Sequence, residues 1–144
     1  MADVYEFQLT LDLPDSLPAQ ELALLRWHLG DEGGDCQGVY AYPLWDARGP
    51  ARRIGGALVG ELRSDGRGWT LTVRQESHPD EFEDLRTIVL WLGARTTSTG
   101  AVGYVRFCED HVPDVLIAAA GSVRRMTLRV DRVSEPNAGV LPDA

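Results

Sequence analysis

Apolar and polar residues alternate along the first stretch of the chain: Tyr5, Phe7, Leu9, Leu11 and Leu13 fall on one side, and Glu6, Gln8, Thr10 and Asp12 on the other. A period of two belongs to a strand with one covered and one open face, so Val4 to Leu13 is predicted as a half-buried strand. Pro14 breaks it. The period then lengthens: Leu22, Leu25 and Leu29 recur at helical spacing, with Pro18 in the first turn and Gly30 just past the end, which predicts an amphipathic helix. A second strand is expected from Ala57 to Arg63. The short Gly-containing link SDGRG joins it to a third, GWTLTVRQE, in which Trp69, Leu71 and Val73 share a face, so the two form a hairpin.

A second helix is predicted after Ser77, read as its N-cap. Pro79, Asp80, Glu81, Glu83 and Asp84 occupy its first turns, where the helix dipole favours negative charge, and Phe82, Leu85, Val89 and Leu92 form its apolar stripe. A fourth strand, AVGYVRFCE, begins at Ala101, and a fifth, SVRRMTLRVDRV, spans 122–133 with Met126, Leu128 and Val130 on one face. The segment VPDVLIAAA between them is too short for its period to decide between strand and helix. The order strand, helix, strand, strand, helix, strand predicts an α+β fold. Its form is a ferredoxin-like two-layer sandwich, an antiparallel sheet with two helices on one face, a long insertion after helix 1 and an extra C-terminal strand. Residues 1–133 are read as a single domain with an insertion at 30–56, and 134–144 as a flexible C-terminal tail. The polar side of the first and third strands predicts a second sheet face open to solvent or to a partner.

With 144 residues, 44% of them hydrophobic and 25% charged, the chain is long enough to build one core without disulfides or a structural metal. The start, MADVYEFQLTLDL, lacks the basic segment and apolar run of a signal peptide. The longest apolar run, Ile88 to Leu92, is far shorter than the about 20 residues that a helix needs to cross a bilayer. A cytoplasmic protein with no membrane contact is the expectation, with Cys36 and Cys108 reduced, since they lack CxxC spacing.

Charge changes this picture in two ways. All 14 basic residues are Arg, against 22 acids, for a net charge of -8; without lysine, no mechanism can use a Schiff-base or phosphate-loop lysine. The charge is also uneven. Residues 1–47 hold nine acids and one Arg, residues 48–74 six Arg and two acids, residues 75–115 eight acids and three Arg, and the remainder four Arg and three acids. A basic insertion and hairpin on an acidic body would steer a charged partner or a second copy of the chain.

The piece GAVGYVRF, Gly100 to Phe107, resembles the second half of the RNA-recognition-motif signature. It departs from it at three points: Gly100 replaces the leading basic residue, Val102 replaces an aromatic, and the strand follows the second helix instead of preceding it. A net charge of -8 also opposes phosphate binding, so no nucleic-acid partner is expected and Tyr104 is read as a sheet residue. CEDH, Cys108 to His111, offers at most half of a metal site, with no matching pair elsewhere, and reads as an acidic turn before Pro113. His78 and His28 each sit where a helix end explains them. GxSxG, HExxH, GxxxxGK(S/T) and GxGxxG are absent from the sequence, so no catalytic residue, metal or cofactor is assigned.

The insertion is the most informative stretch. It concentrates Tyr40, Tyr42, Trp45, Arg48, Arg52 and Arg53 within fourteen residues, residue types enriched at binding hot spots, in a connection longer than compact domains ordinarily use. The same pattern suits an edge element that covers the core with its aromatic residues inward and Arg outside. Two functions follow. The first is a non-enzymatic protein-interaction module, self-associating or binding a basic protein through these six residues. The alternative is a small-molecule binding protein or enzyme with a cleft between the insertion and the sheet. There Arg52 and Arg53 would hold an anion, Tyr42 and Trp45 would form the walls, and His78 or His111 would carry a proton.

Overall fold

A computed structural model describes residues 3–131 and 141 of the chain. The elements run β1 (Tyr5–Pro14), α1 (Ala19–Leu29), β2 (Gly49–Pro50), β3 (Ala57–Ser64), β4 (Gly68–Ser77), a single 3-10 turn (Pro79–Glu81), α2 (Phe82–Gly93), β5 (Gly100–Phe107), β6 (Asp114–Ala119) and β7 (Ser122–Met126). The strands form one seven-stranded sheet in the order β2-β3-β4-β1-β5-β6-β7, with every neighbouring pair antiparallel. The protein is therefore α+β, with more strands than its pattern announced.

The alternation in β1 sets the layers. Phe7, Leu9, Leu11 and Leu13 join Leu71 and Val73 of β4, Leu22, Leu25 and Leu29 of α1, and Leu85, Ile88 and Leu92 of α2 in one buried cluster. Burying these side chains is the main favourable term in folding. Within α2 the inward place between Leu85 and Leu92 belongs to Ile88, fully buried, while Val89 of the expected stripe is only partly covered.

Two expected details change and one open choice is decided. Ser77 is not the cap of the second helix but the buried last residue of β4. The His78 backbone N–H instead donates to the Glu81 carboxylate at 3.0 Å, which closes the 3-10 turn that opens the helix. VPDVLIAAA becomes a strand, β6, because it is followed by a two-residue turn, Ala120 and Gly121, both at positive φ. Such turns match the twist of a β-hairpin. The last strand ends at Met126, not residue 133, since Met126 pairs with Val115 close to where β6 begins at Asp114. Residues 132 and 133 of the expected strand, and the expected tail at 134–144 apart from Leu141, lie outside the described residues.

The register also decides what meets on the open face. Glu6 lies opposite Arg106 of β5 and Glu76 of β4, and Gln8 lies opposite Tyr104 and Arg74. Residues opposite one another project from the same face, so the polar side of β1 is centred in a charged field drawn from three strands.

Candidate functional site

That field is closed, not wet. Glu6 is only 5% exposed although it belongs to the open side of the sheet. Its carboxylate accepts from Arg74 Nε at 3.0 Å and Nη2 at 2.8 Å, from Arg106 Nε at 3.0 Å and Nη2 at 2.9 Å, and from the Tyr104 hydroxyl at 2.8 Å. Burial would raise the Glu6 pKa, but the hydrogen bonds from Tyr104, Arg106 and Arg74 overcome it and hold the carboxyl below its ordinary value. The Tyr104 hydroxyl is pushed up, by burial and by its bond to Glu6. With both carboxylate oxygens engaged by cations, the cluster is poorly placed to take a proton from a substrate. Its work is to hold loops.

Each guanidinium reaches outward from Glu6. Arg74 donates to the carbonyls of Gly55 at 2.7 Å, Ala57 at 3.0 Å and Ile54 at 3.2 Å, and Arg106 donates to those of Cys108 at 3.0 Å and Asp110 at 2.9 Å. Glu76 adds an anchor of its own, accepting the backbone N–H groups of Arg52 at 3.0 Å, Arg53 at 2.6 Å and Ile54 at 3.3 Å. Burial alone would raise its pKa; the three N–H donors and the Arg52 charge lower it overall. The turn after β2 and the loop after β5 are thus tied to one end of the open face. Sequence reading missed Glu6, Arg74, Glu76, Tyr104 and Arg106 as a group because their meeting depends on the register of three strands. The one signal available was a carboxylate on the polar side of the first strand.

The insertion divides residue by residue. Trp45 is fully buried, stacked on Phe7 with centroids 6.0 Å apart and planes 8° from parallel, and Tyr40 is buried edge-on to His28 at 4.4 Å. Arg48 donates to four carbonyls, those of Trp45, Leu29 and Gly60 at 2.7 Å and Ala47 at 2.8 Å, and so clasps the end of α1 to β3. Tyr42, Arg52 and Arg53 face solvent, with Arg53 Nη2 3.6 Å from the Cys108 thiol. The backbone ties this cover to α1: Trp45 N–H donates to the His28 carbonyl at 2.9 Å and Leu44 N–H to His28 Nδ1 at 3.2 Å. Burial lowers the His28 pKa to about 4. Among the described residues, His28 Nε2 and Trp45 Nε1 are buried without a hydrogen-bond partner.

The remaining candidate chemistry is dispersed. His78 Nδ1 lies 3.2 Å from the Asp3 carbonyl, and His111 is exposed in the loop after β5. Cys36 and Cys108 are free thiols. Among the described residues, no three of His, Cys, Asp and Glu converge as metal ligands, and no helix is long and apolar enough to cross a membrane.

At the other end of the sheet the surface turns apolar. Met126, Leu128 and Val130 are 51%, 41% and 59% exposed, and Val115 and Ile117 of β6, on the same face as Met126, are half-buried. On the opposite face, Phe7, Phe82, Leu85, Val89, Leu116 and Val123 line a groove of about 260 Å³, with Arg86 and Arg125 also contributing to its wall. Comparison with known proteins finds no matching family model, no similar curated protein and no similar solved structure.

Proposed function

We propose that the chain is a protein-association module that docks through its β7 end. The observation that carries this reading is the row Met126, Leu128 and Val130, three large apolar side chains at alternate positions, each more than two-fifths exposed, the first at the end of the edge strand β7 and the other two just beyond it. Large apolar side chains gathered on a surface mark interaction sites far more often than scattered ones do. The six insertion residues support docking less well. Tyr40 and Trp45 are inside and Arg48 is committed to carbonyls, which leaves Tyr42, Arg52 and Arg53 as the part of that surface able to meet a partner.

In the same reading the scaffold is ferredoxin-like. The central order β3-β4-β1-β5, with α1 between β1 and β3 and α2 between β4 and β5, fits the split βαβ arrangement, and β2, β6 and β7 are additions to it. The docking edge would then be built on the added strands, where it can vary without disturbing the core.

The groove between α2 and the β7 end favours a second reading. Its apolar lining, with Arg86 and Arg125 in the wall, suits a small amphipathic anion, in place of the cleft expected beside the insertion.

The test is capture of partners from native lysate with three proteins: wild type, Met126→Ser/Leu128→Ser/Val130→Ser, and Tyr42→Ala/Arg52→Ala/Arg53→Ala. Loss of the complex in the first variant alone is the expected result. Loss in the second alone returns the contact surface to the insertion, and a wild-type chain that binds no protein, itself included, overturns the reading.

A further inference from the structure

The two edges of the sheet are unlike. One ends in β2, two residues long and containing Pro50; where β3 runs past it, the Gly60 carbonyl is capped by Arg48, and Glu61 and Arg63 place charge on the strand. Short edges, proline and charge are the devices that keep a sheet from pairing with another. Among the described residues the other edge is β7, five residues followed by Thr127 to Asp131, which are exposed and form no ladder with β6. Yet this stretch keeps a strand's alternation, with Met126, Leu128 and Val130 at even positions and Arg125, Thr127, Arg129 and Asp131 at odd ones.

We infer that the β7 edge pairs with the same edge of a second copy of this chain, antiparallel, with the two-fold axis at Leu128. The inference rests on the association reading above and names its partner. The sequence itself selects the register. With Leu128 opposite Leu128, Met126 meets Val130, Thr127 meets Arg129, and Arg125 meets Asp131 on both sides of the axis. Every apolar residue from 126 to 130 then opposes an apolar one, and each copy gives and receives one cross-strand ion pair.

The registers differ in how near the axis like charges meet, and like charges directly opposed are unfavourable. With the axis at Leu128 the first such pair, Arg124 with Arg132, falls four positions away, beyond the Arg125–Asp131 pair; moving the axis to Thr127 brings Arg125 against Arg129 two positions away, and moving it to Arg129 sets that residue against itself. Moving it to Met126 sets Arg124 against Leu128. A two-fold normal to the sheet keeps the open faces of both copies on the same side, so half-integral positions of the axis, which would set apolar against polar positions, do not arise. Arg125 is exposed and only loosely held, its Nε 3.5 Å from the Asp114 carboxylate, and a guanidinium has donors enough for Asp114 and the second copy's Asp131 together.

The experiment measures the solution mass of the full chain by light scattering across a concentration series, then exchanges the charges. Wild type is expected at twice the chain mass. Asp131→Arg, which faces Arg125 with a cation, should raise the dissociation constant at least tenfold, and Arg125→Asp/Asp131→Arg should restore most of it. In a Cys36→Ser/Cys108→Ser background, Leu128→Cys should oxidise to a covalent dimer faster than Thr127→Cys. A wild-type chain that stays monomeric overturns the inference even where the edge captures another protein, an outcome that leaves the association reading standing. A dimer whose charge exchange fails to restore affinity, or whose Leu128→Cys form does not cross-link preferentially, overturns the register.

Discussion

Leu44 gives its backbone N–H to His28 Nδ1 at 3.2 Å, and that bond settles which imidazole nitrogen carries the proton. Because Nδ1 accepts, the neutral ring holds its hydrogen on Nε2, which is buried with no acceptor among the described residues. A second proton would put a full charge among Trp27, Tyr40 and Trp45 and break the Leu44 bond.

The pH dependence follows. The folded chain resists protonation of His28 down to about pH 4, whereas the unfolded chain takes up that proton near pH 6.5. Above 6.5 the group contributes nothing to the slope. As pH falls from 6.5 towards 4 the unfolded state binds the extra proton, and stability drops by up to 1.36 kcal/mol per unit, about 3 kcal/mol in all. Glu81, whose pKa is raised chiefly by burial, works in the opposite sense, so the clean measurement uses a Glu81→Gln background. Urea midpoints should hold level there from pH 7.5 to 6.5, fall from 6.5 to 4.5, and be nearly flat throughout once His28→Gln is added. An unchanged slope would place the titration elsewhere.

Trp45 separates cover from contact surface. It is fully buried on Phe7, so Trp45→Ala should cost about 4 kcal/mol through lost burial and the cavity left behind. Tyr42→Ala, at an exposed position, should stay within about 0.5 kcal/mol. Chemical denaturation of the two variants side by side gives the comparison; equal, small effects would mean that the insertion is not part of the core.

These residues also show how far the sequence could be read. The alternation of β1 and the leucine spacing of α1 needed no tertiary information, because each element's covered face is written in its own period. The same property failed at β6, six residues long, where the deciding signal was the turn after it. Around the insertion the sequence was ambiguous for a physical reason: Tyr, Trp and Arg serve equally as an interface or as a lid, and only packing decides. Phe7 received Trp45, while no comparable seat received Tyr42. The Glu6 cluster was hidden for another reason, since Arg74, Tyr104 and Arg106 lie 68 to 100 residues from Glu6 along the chain and meet it only through strand register.

Glu6→Gln should be among the most damaging of the isosteric changes. It keeps the shape and a hydrogen-bonding group but leaves Arg74 and Arg106 facing each other, both mostly covered, with the charge between them gone. Removing one partner of a buried ion cluster costs about 3 kcal/mol or more, because the others stay desolvated. The wild-type contribution is carried by a carboxyl whose folded pKa lies below its unfolded value. It is therefore fully present above pH 4.5 and lost as pH falls through the folded pKa. Thermal melts should show a large gap between the two proteins at pH 7 that narrows below pH 4. A gap that widens in acid would contradict the assignment.

Arg48 gives the sharpest test of whether a cation in the insertion faces a partner or the fold. Its two terminal nitrogens each serve two carbonyls, including that of Leu29, a helix-end acceptor with no partner inside the helix, and that of Gly60 on β3. A lysine has one nitrogen and cannot span them, so Arg48→Lys should lose most of what Arg48→Ala loses, about 2 kcal/mol. Gly60 is the matching half of the clasp: a Cβ there would stand 2.6 Å from the Trp45 carbonyl oxygen and 2.8 Å from Arg48 Nη1. Gly60→Ala should therefore cost about 1–3 kcal/mol by overpacking, and combining it with Arg48→Ala should cost clearly less than the two changes added together. A double-mutant cycle by urea denaturation reads the coupling directly. If the two costs add, the guanidinium is not seated over Gly60 in solution, and Arg48 returns to the group of side chains free to meet a partner.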